Sequence, residues 1–278
     1  MDKNLENPSQ KVNIVAPDGA SAEIYVHGAH ISSWCPMDGR ERLFLSKKAI
    51  FRKGIPIRGG IPICFPQFNE EGPITKHGFV RIKQWKFVQS RKTNGSSQAI
   101  FQMEDDDETR AIWPHEFRTT LTVTIEGSKL LVEFVVTNKG LTPFAFTGAL
   151  HTYLLINDIS EVRVEKLRGS KYIDSITGKQ YILQTEDDIK THGEIDRLYS
   201  NAPCEVVVQE SNQGMRIRSS GFTDIVVWNP GEEKSRAMAD MEPMGYRKML
   251  CIESAIVSKP QEVPVGKTWS GKQELIAI

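Results

Sequence analysis

A chain of 278 residues with 39% hydrophobic and 25% charged residues has an ordinary globular composition and can bury a core without disulfides or metals. Its 35 Lys and Arg balance 35 Asp and Glu, which argues against a nucleic-acid binder, because such proteins carry a basic surplus. The N-terminus MDKNLENPSQ lacks a signal peptide's apolar centre. No apolar run approaches the roughly 18 residues of a membrane span, so a cytoplasmic protein without membrane or nucleic-acid partners is expected.

Residues 1–10 read as a loose tail, and SAEIYVHG (21–28) is the first strand candidate. His27 and His30 fall in or beside that strand and its turn; with Cys35 they match no common zinc spacing. The cysteines Cys35, Cys64, Cys204 and Cys251 are scattered, without a CxxC pair. Cys64 and Cys251 lie in apolar strand-like runs, where buried free thiols and no metal are expected. Next come WKFVQSR, QAIFQME and a short helix in EDDDETRAIW. In RTTLTVTIEGSKLLVEFVVTNKG, Leu121, Val123 and Ile125 alternate with Thr122, Thr124 and Glu126. The chain then turns at Gly127–Ser128, a hairpin with one buried face. FTGALHTYLLI, EVRVEKL, CEVVVQES, GMRIRSS, DIVVWNP, KMLCIESA and KQELIAI continue the strands, with a second short helix in SRAMADME. PVGKTW (264–269) is not a phosphate loop, because Gln261 stands where the motif needs glycine and no helix follows. Many short strands without alternating helices predict an antiparallel all-β sandwich or barrel, in one domain spanning 1–278.

Two features point to a site. The first is RGGIPICFPQFNEEGPITKHGFVR, residues 58–81, a stretch too broken by Gly and Pro for a helix and bounded by Arg58 and Arg81. Between Arg40 and Lys86 there are eleven Lys or Arg and three Asp or Glu, a local positive field suited to a small anion. The second is a pair of polar intrusions into apolar strands: His151 in FAFTGALHTYLLI and Glu253 in MLCIESAIV. Burying an unpaired charge is expensive. A histidine and a glutamate facing each other across a cleft can hold opposite protonation states and act as acid and base. Asp196 in EIDRLYS and Trp228 in VVWNP add a polar contact and an aromatic platform of the kind sugars stack on.

RGGIPICFPQF, KHGFVR, GALHTYLLI, IDRLYS, VVWNP and CIESA occur in this order. Together they resemble the hexose-6-phosphate mutarotases, also called glucose-6-phosphate 1-epimerases. The resemblance spans roughly residues 10–278. It implies a galactose-mutarotase-like supersandwich of antiparallel sheets, with no cofactor. It also implies His151 as catalytic acid, Glu253 as catalytic base, and Arg58, Arg81 and Asp196 as substrate-binding residues. Lys76 departs from the glutamine that some relatives carry before the HG pair, but a lysine still favours an anion. Lys76 and His77 are therefore candidate substrate contacts, His77 ranking below His151 for proton transfer. The expected reaction opens the pyranose to its aldehyde and closes it on the other face. The expected partner is a hexose 6-phosphate bound by a monomer. Two rivals are an aldose 1-epimerase acting on unphosphorylated sugars and a non-catalytic sugar-phosphate module. The expected carboxylate beside His151 should favour the charged imidazole.

Overall fold

The computed structural model describes residues 9–70, 72–191 and 193–278; most of the expected N-terminal tail lies outside them. The described residues form antiparallel sheets with two short α-helices, Asp107–Ile112 and Gly231–Ala237. A small sheet joins Lys11–Val15, Ser21–Tyr25 and His30–Cys35. A nine-stranded sheet runs Asp188–Lys190, Arg163–Glu165, Glu205–Gln209, Gly214–Ser220, Thr268–Ala277, Lys129–Asn138, Phe117–Glu126, Ser97–Glu104, Lys86–Lys92. The eight-stranded sheet that carries the site has the order Lys179–Leu183, Lys171–Asp174, Ile195–Ser200, Asp224–Asn229, Met249–Val263, Phe144–Leu150, Ile63–Cys64. Tyr153–Leu155 pairs off this path with Met249–Val263.

Side-chain alternation decides which face is core. In Phe117–Glu126 every second residue is buried, as the period of a one-sided strand requires, and the hairpin pairs Glu126 with Lys129 around Gly127–Ser128. The main apolar cluster draws Ile24 from the small sheet, Val132 from the nine-stranded sheet and Ile252 from the eight-stranded sheet. This is the all-β supersandwich expected.

Three local readings need correction. FTGALHTYLLI is not one strand: it breaks at His151–Thr152, leaving Phe144–Leu150 and Tyr153–Leu155. The apolar residues on both sides of His151 give no sign of that break. The second helix starts earlier than SRAMADME, at Gly231 after Pro230, where proline's fixed φ suits a helix start. The short strands Lys171–Asp174, Lys179–Leu183 and Asp188–Lys190 were not expected: the last two are edge strands, and all three are too short to show clear alternation.

Candidate active site

Adjacent residues of strand Met249–Val263 face opposite ways. Leu250 and Ile252 enter the main core. Glu253 and Cys251 face outward, into a cavity of about 290 Å³ and its wall. Cross-strand register completes this face: Asp196 opposes Trp228, Trp228 opposes Cys251, and Cys251 opposes Tyr153. His151 stands in the strand break, where its N–H donates to Pro62 O at 2.9 Å. Its ring faces Glu253, with Nε2 to Oε1 at 3.4 Å. Both are buried, at 7% and 1% exposure. His151 Nδ1 and Glu253 Oε2 have no hydrogen-bond partner, an unusual condition for buried polar atoms.

The arginine-bounded loop covers this pair. It is pinned by isolated bridges at Gly59, Ile61 and Gly78. Gly78 is obligatory: its φ is +69°, and a Cβ there would lie 2.1 Å from Phe65 O. His77 is also left-handed, at φ 63°, a strained conformation for a side-chain-bearing residue. Its Nδ1 accepts from Asn69 N–H at 3.1 Å, so the ring proton sits on Nε2 and can be donated. Arg81 Nη2 donates to Lys76 O at 2.9 Å, and Arg81 Nε is buried without a partner. Arg58 donates from Nη1 to Tyr153 Oη at 2.9 Å and from Nε to Asp240 Oδ2 at 3.2 Å. The guanidinium forks are thus oriented before any ligand arrives, which lowers the ordering cost of binding.

All eight sequence-predicted site residues, Arg58, Lys76, His77, Arg81, His151, Asp196, Trp228 and Glu253, line this cavity. Tyr153, Asn69 and Lys234 line it as well, and none was singled out from sequence. Lys234 comes from helix Gly231–Ala237 and donates to Glu194 Oε1 at 2.8 Å. Trp228 presents its edge to His151, with centroids 5.8 Å apart at 85°.

Burial governs the charges. It pushes the His151 imidazole well below its ordinary value, helped by Arg81 and Arg58. Burial likewise pushes Glu253 well above its ordinary value, with Asp196 adding to the effect and Arg81 opposing it. This corrects the expectation that the carboxylate holds the imidazole charged: desolvation disfavours both charged forms. Burial and the neighbouring His151 also push His77 far down, and burial raises Asp196.

Among the described residues, the group with metal-ligand geometry is His151, Cys251 and Glu253, whose ligand atoms lie within 4.8 Å of one another. Burial pushes the Cys251 thiol well up, away from the thiolate a metal needs, and the flanking arginines repel a dication. His27, His30 and Cys35 do not converge: His27 Nε2 meets Ile55 O at 2.8 Å, while Cys35 Sγ meets Glu41 Oε2 at 3.7 Å.

What the arrangement can do is move protons. A buried histidine–glutamate pair, groups able to exchange protons, faces a cavity rimmed by cations. Residues 10–275 match the family described as aldose 1-epimerase. The chain is 37% identical to a Cenchrus ciliaris protein named "Putative glucose-6-phosphate 1-epimerase", over 99% of this chain and 87% of that one. The crystal structure of a "putative mutarotase" from Salmonella typhimurium is 28% identical, with a TM-score of 0.89 over 96% of this chain and 90% of that one. A galactose mutarotase related enzyme from Lactobacillus acidophilus shares the fold, with a TM-score of 0.76 at 14% identity over 97% of each chain. No helix of the described residues is long and apolar enough to cross a membrane.

Proposed function

Because this chain belongs to the aldose 1-epimerase family, we propose that it interconverts the α and β anomers of a hexose 6-phosphate, glucose 6-phosphate first among them. The observation that carries this reading is the 3.4 Å His151–Glu253 pair in a cavity that Arg58 and Arg81 also line. Arginine's planar fork suits a phosphate dianion better than a neutral hydroxymethyl group.

In the proposed mechanism Glu253, as carboxylate, takes the proton of the anomeric hydroxyl. The C1–O5 bond breaks as C1=O forms, and His151, as imidazolium, protonates O5. The aldehyde rotates about C1–C2, and the same groups reverse roles as the ring closes. Ring opening converts a charged pair into neutral imidazole and carboxylic acid, the forms that burial favours. Burial makes that charged pair costly to form, and the cost is returned as the ring opens. Each positioned proton transfer contributes about 10²- to 10⁴-fold. His77 donates from Nε2 to a sugar hydroxyl, Asp196 accepts from another, and Trp228 bounds the ring. Lys76 adds positive charge at the mouth.

The test is anomeric NMR on freshly dissolved α-glucose and α-glucose 6-phosphate, with and without protein. Acceleration confined largely to the phosphorylated sugar supports the proposal. Equal acceleration of both indicates an epimerase of unphosphorylated sugars, and acceleration of neither a binding module.

A further inference from the structure

The side chains that hold Arg58 also hold His151. Tyr153 accepts a hydrogen bond from Arg58 Nη1 at 2.9 Å, and its ring lies flat on the His151 imidazole, with centroids 4.8 Å apart and planes at 9°. Asp240 fixes the other side of the same guanidinium. Main-chain bonds hold Tyr153 in place, from its N to Gly60 O at 2.9 Å and from Phe44 N to its O at 3.0 Å. Trp228 stands edge-on to both stacked rings. Burial pushes the phenol up, so it stays neutral. An anion that draws on Arg58 therefore acts on the hydroxyl of the ring stacked against the imidazole.

Charge acts in the same direction. The groups around His151 are Glu253, Cys251, Arg58, Arg81, Lys76 and His77. Three of them are cations that disfavour the imidazolium needed for ring opening. A dianion seated on the arginines cancels that repulsion, whereas a neutral hexose leaves it in place. Binding energy from a remote, non-reacting group is then used at the reacting centre.

We infer that Tyr153 is a positioning residue that couples anion binding at Arg58 to proton transfer at His151, so that a phosphate-like dianion activates the site even when it is not attached to the sugar. The inference rests on the proposed epimerase activity. It goes further, because an anchoring role for the arginines alone predicts no effect of a detached anion.

The experiment follows anomerisation of free α-glucose by the full chain while phosphite is titrated in, with the protein-free rate at each phosphite concentration subtracted. The expected result is a saturable rise of about tenfold to a hundredfold, the worth of one to two charge-assisted contacts. Tyr153→Phe keeps the ring and removes the hydroxyl, so the phosphite activation should fall to less than about a third of the wild-type value. Its kcat on glucose 6-phosphate should drop more than its KM rises. The alkaline limb of the kcat profile should also lie at higher pH for glucose 6-phosphate than for glucose in wild type, because the dianion offsets the cations around His151. If glucose 6-phosphate is turned over but phosphite gives no saturable activation in wild type, the coupling is overturned and the epimerase reading stands. Phosphite activation intact in Tyr153→Phe overturns Tyr153 as the link. No turnover of glucose 6-phosphate overturns both readings. The wild-type titration requires no variant to fold.

Discussion

Two buried polar clusters lie back to back on the eight-stranded sheet, one residue apart in sequence. His151 and Glu253 face the cavity with an orphaned atom each. Their chain neighbours Thr152 and Ser254 face the other way and are joined by Gln273: Thr152 Oγ1 donates to Gln273 Oε1, and Gln273 Nε2 donates to Ser254 Oγ at 2.8 Å. Ser254 Oγ in turn lies 2.6 Å from Ser219 Oγ. Both clusters are nearly inaccessible to solvent, so burial does not tell them apart. Closure does. A satisfied network stabilises a fold, while the orphaned atoms of His151 and Glu253 belong to residues that line an open cavity.

The sharpest way to break this comparison is to mutate each cluster. Glu253→Gln and His151→Asn should each fold and lose about 10²- to 10⁴-fold in kcat on glucose 6-phosphate. Gln273→Leu should leave kcat within a few-fold in the folded protein, yet cost about 1–3 kcal/mol for the orphaned Thr152 hydroxyl. Anomeric NMR and urea unfolding measure both quantities. Normal activity in either site variant removes that residue from the mechanism.

Next in size is phosphate recognition. Arg58→Ala or Arg81→Ala should lower kcat/KM for glucose 6-phosphate by about tenfold to a hundredfold, from about 1.5–3 kcal/mol per lost charged contact. The effect on free glucose should be much smaller. Equal losses on both sugars would mean that the arginines only support the loop. Arg58 carries the added risk of freeing Asp240 and Tyr153, so Arg81 gives the cleaner reading.

Stability should move in opposite directions for the two clusters. Burial holds the Glu253 carboxyl well above its ordinary value, so ionising it in the folded state is disfavoured. The stabilisation is complete below the unfolded value of about 4.3 and is lost as pH rises toward the folded value. Glutamine does not ionise. Glu253→Gln should therefore melt higher than wild type near pH 8, and its advantage should shrink toward pH 5. Each kcal/mol recovered is worth about 2–4 °C in a chain of this size. A melting-temperature difference that stays flat across this range would show that Glu253 ionises in the folded protein as it does in the unfolded chain, and that burial does not hold it protonated.

Much of this was legible in the sequence for physical reasons. Alternation exposes strands with one dry face, and a histidine or glutamate in an apolar run stands out because burial of charge needs a reason. The parts that stayed hidden depend on register or distant contact. Tyr153 reads as one more aromatic in an apolar strand; its role follows from pairing opposite Cys251 and from a reach to Arg58, 95 positions away. Asp240 lies beyond a short helix and meets Arg58 across 182 positions. At the break His151 must face the cavity while Thr152 reaches Gln273. No local pattern carries that demand.

Lys76 tests the rim of the comparison, and its effect should be the smallest. It lines the cavity, but its side chain is 54% exposed and stands 3.9 Å from Glu70, whereas Arg58 is held on both sides. What binds Arg81 is the backbone carbonyl of Lys76, which a side-chain substitution leaves in place. Lys76→Gln should therefore change long-range attraction and little else. Exposed charges are worth about 0.2–1 kcal/mol, so kcat/KM for glucose 6-phosphate should fall about two- to fivefold at low ionic strength. With a screening length near 8 Å at 0.15 M salt, the difference from wild type should largely vanish there. Free glucose, carrying no charge, should show no change at either salt concentration. A loss that persists in high salt would place the ammonium in direct contact with the phosphate, alongside the arginines.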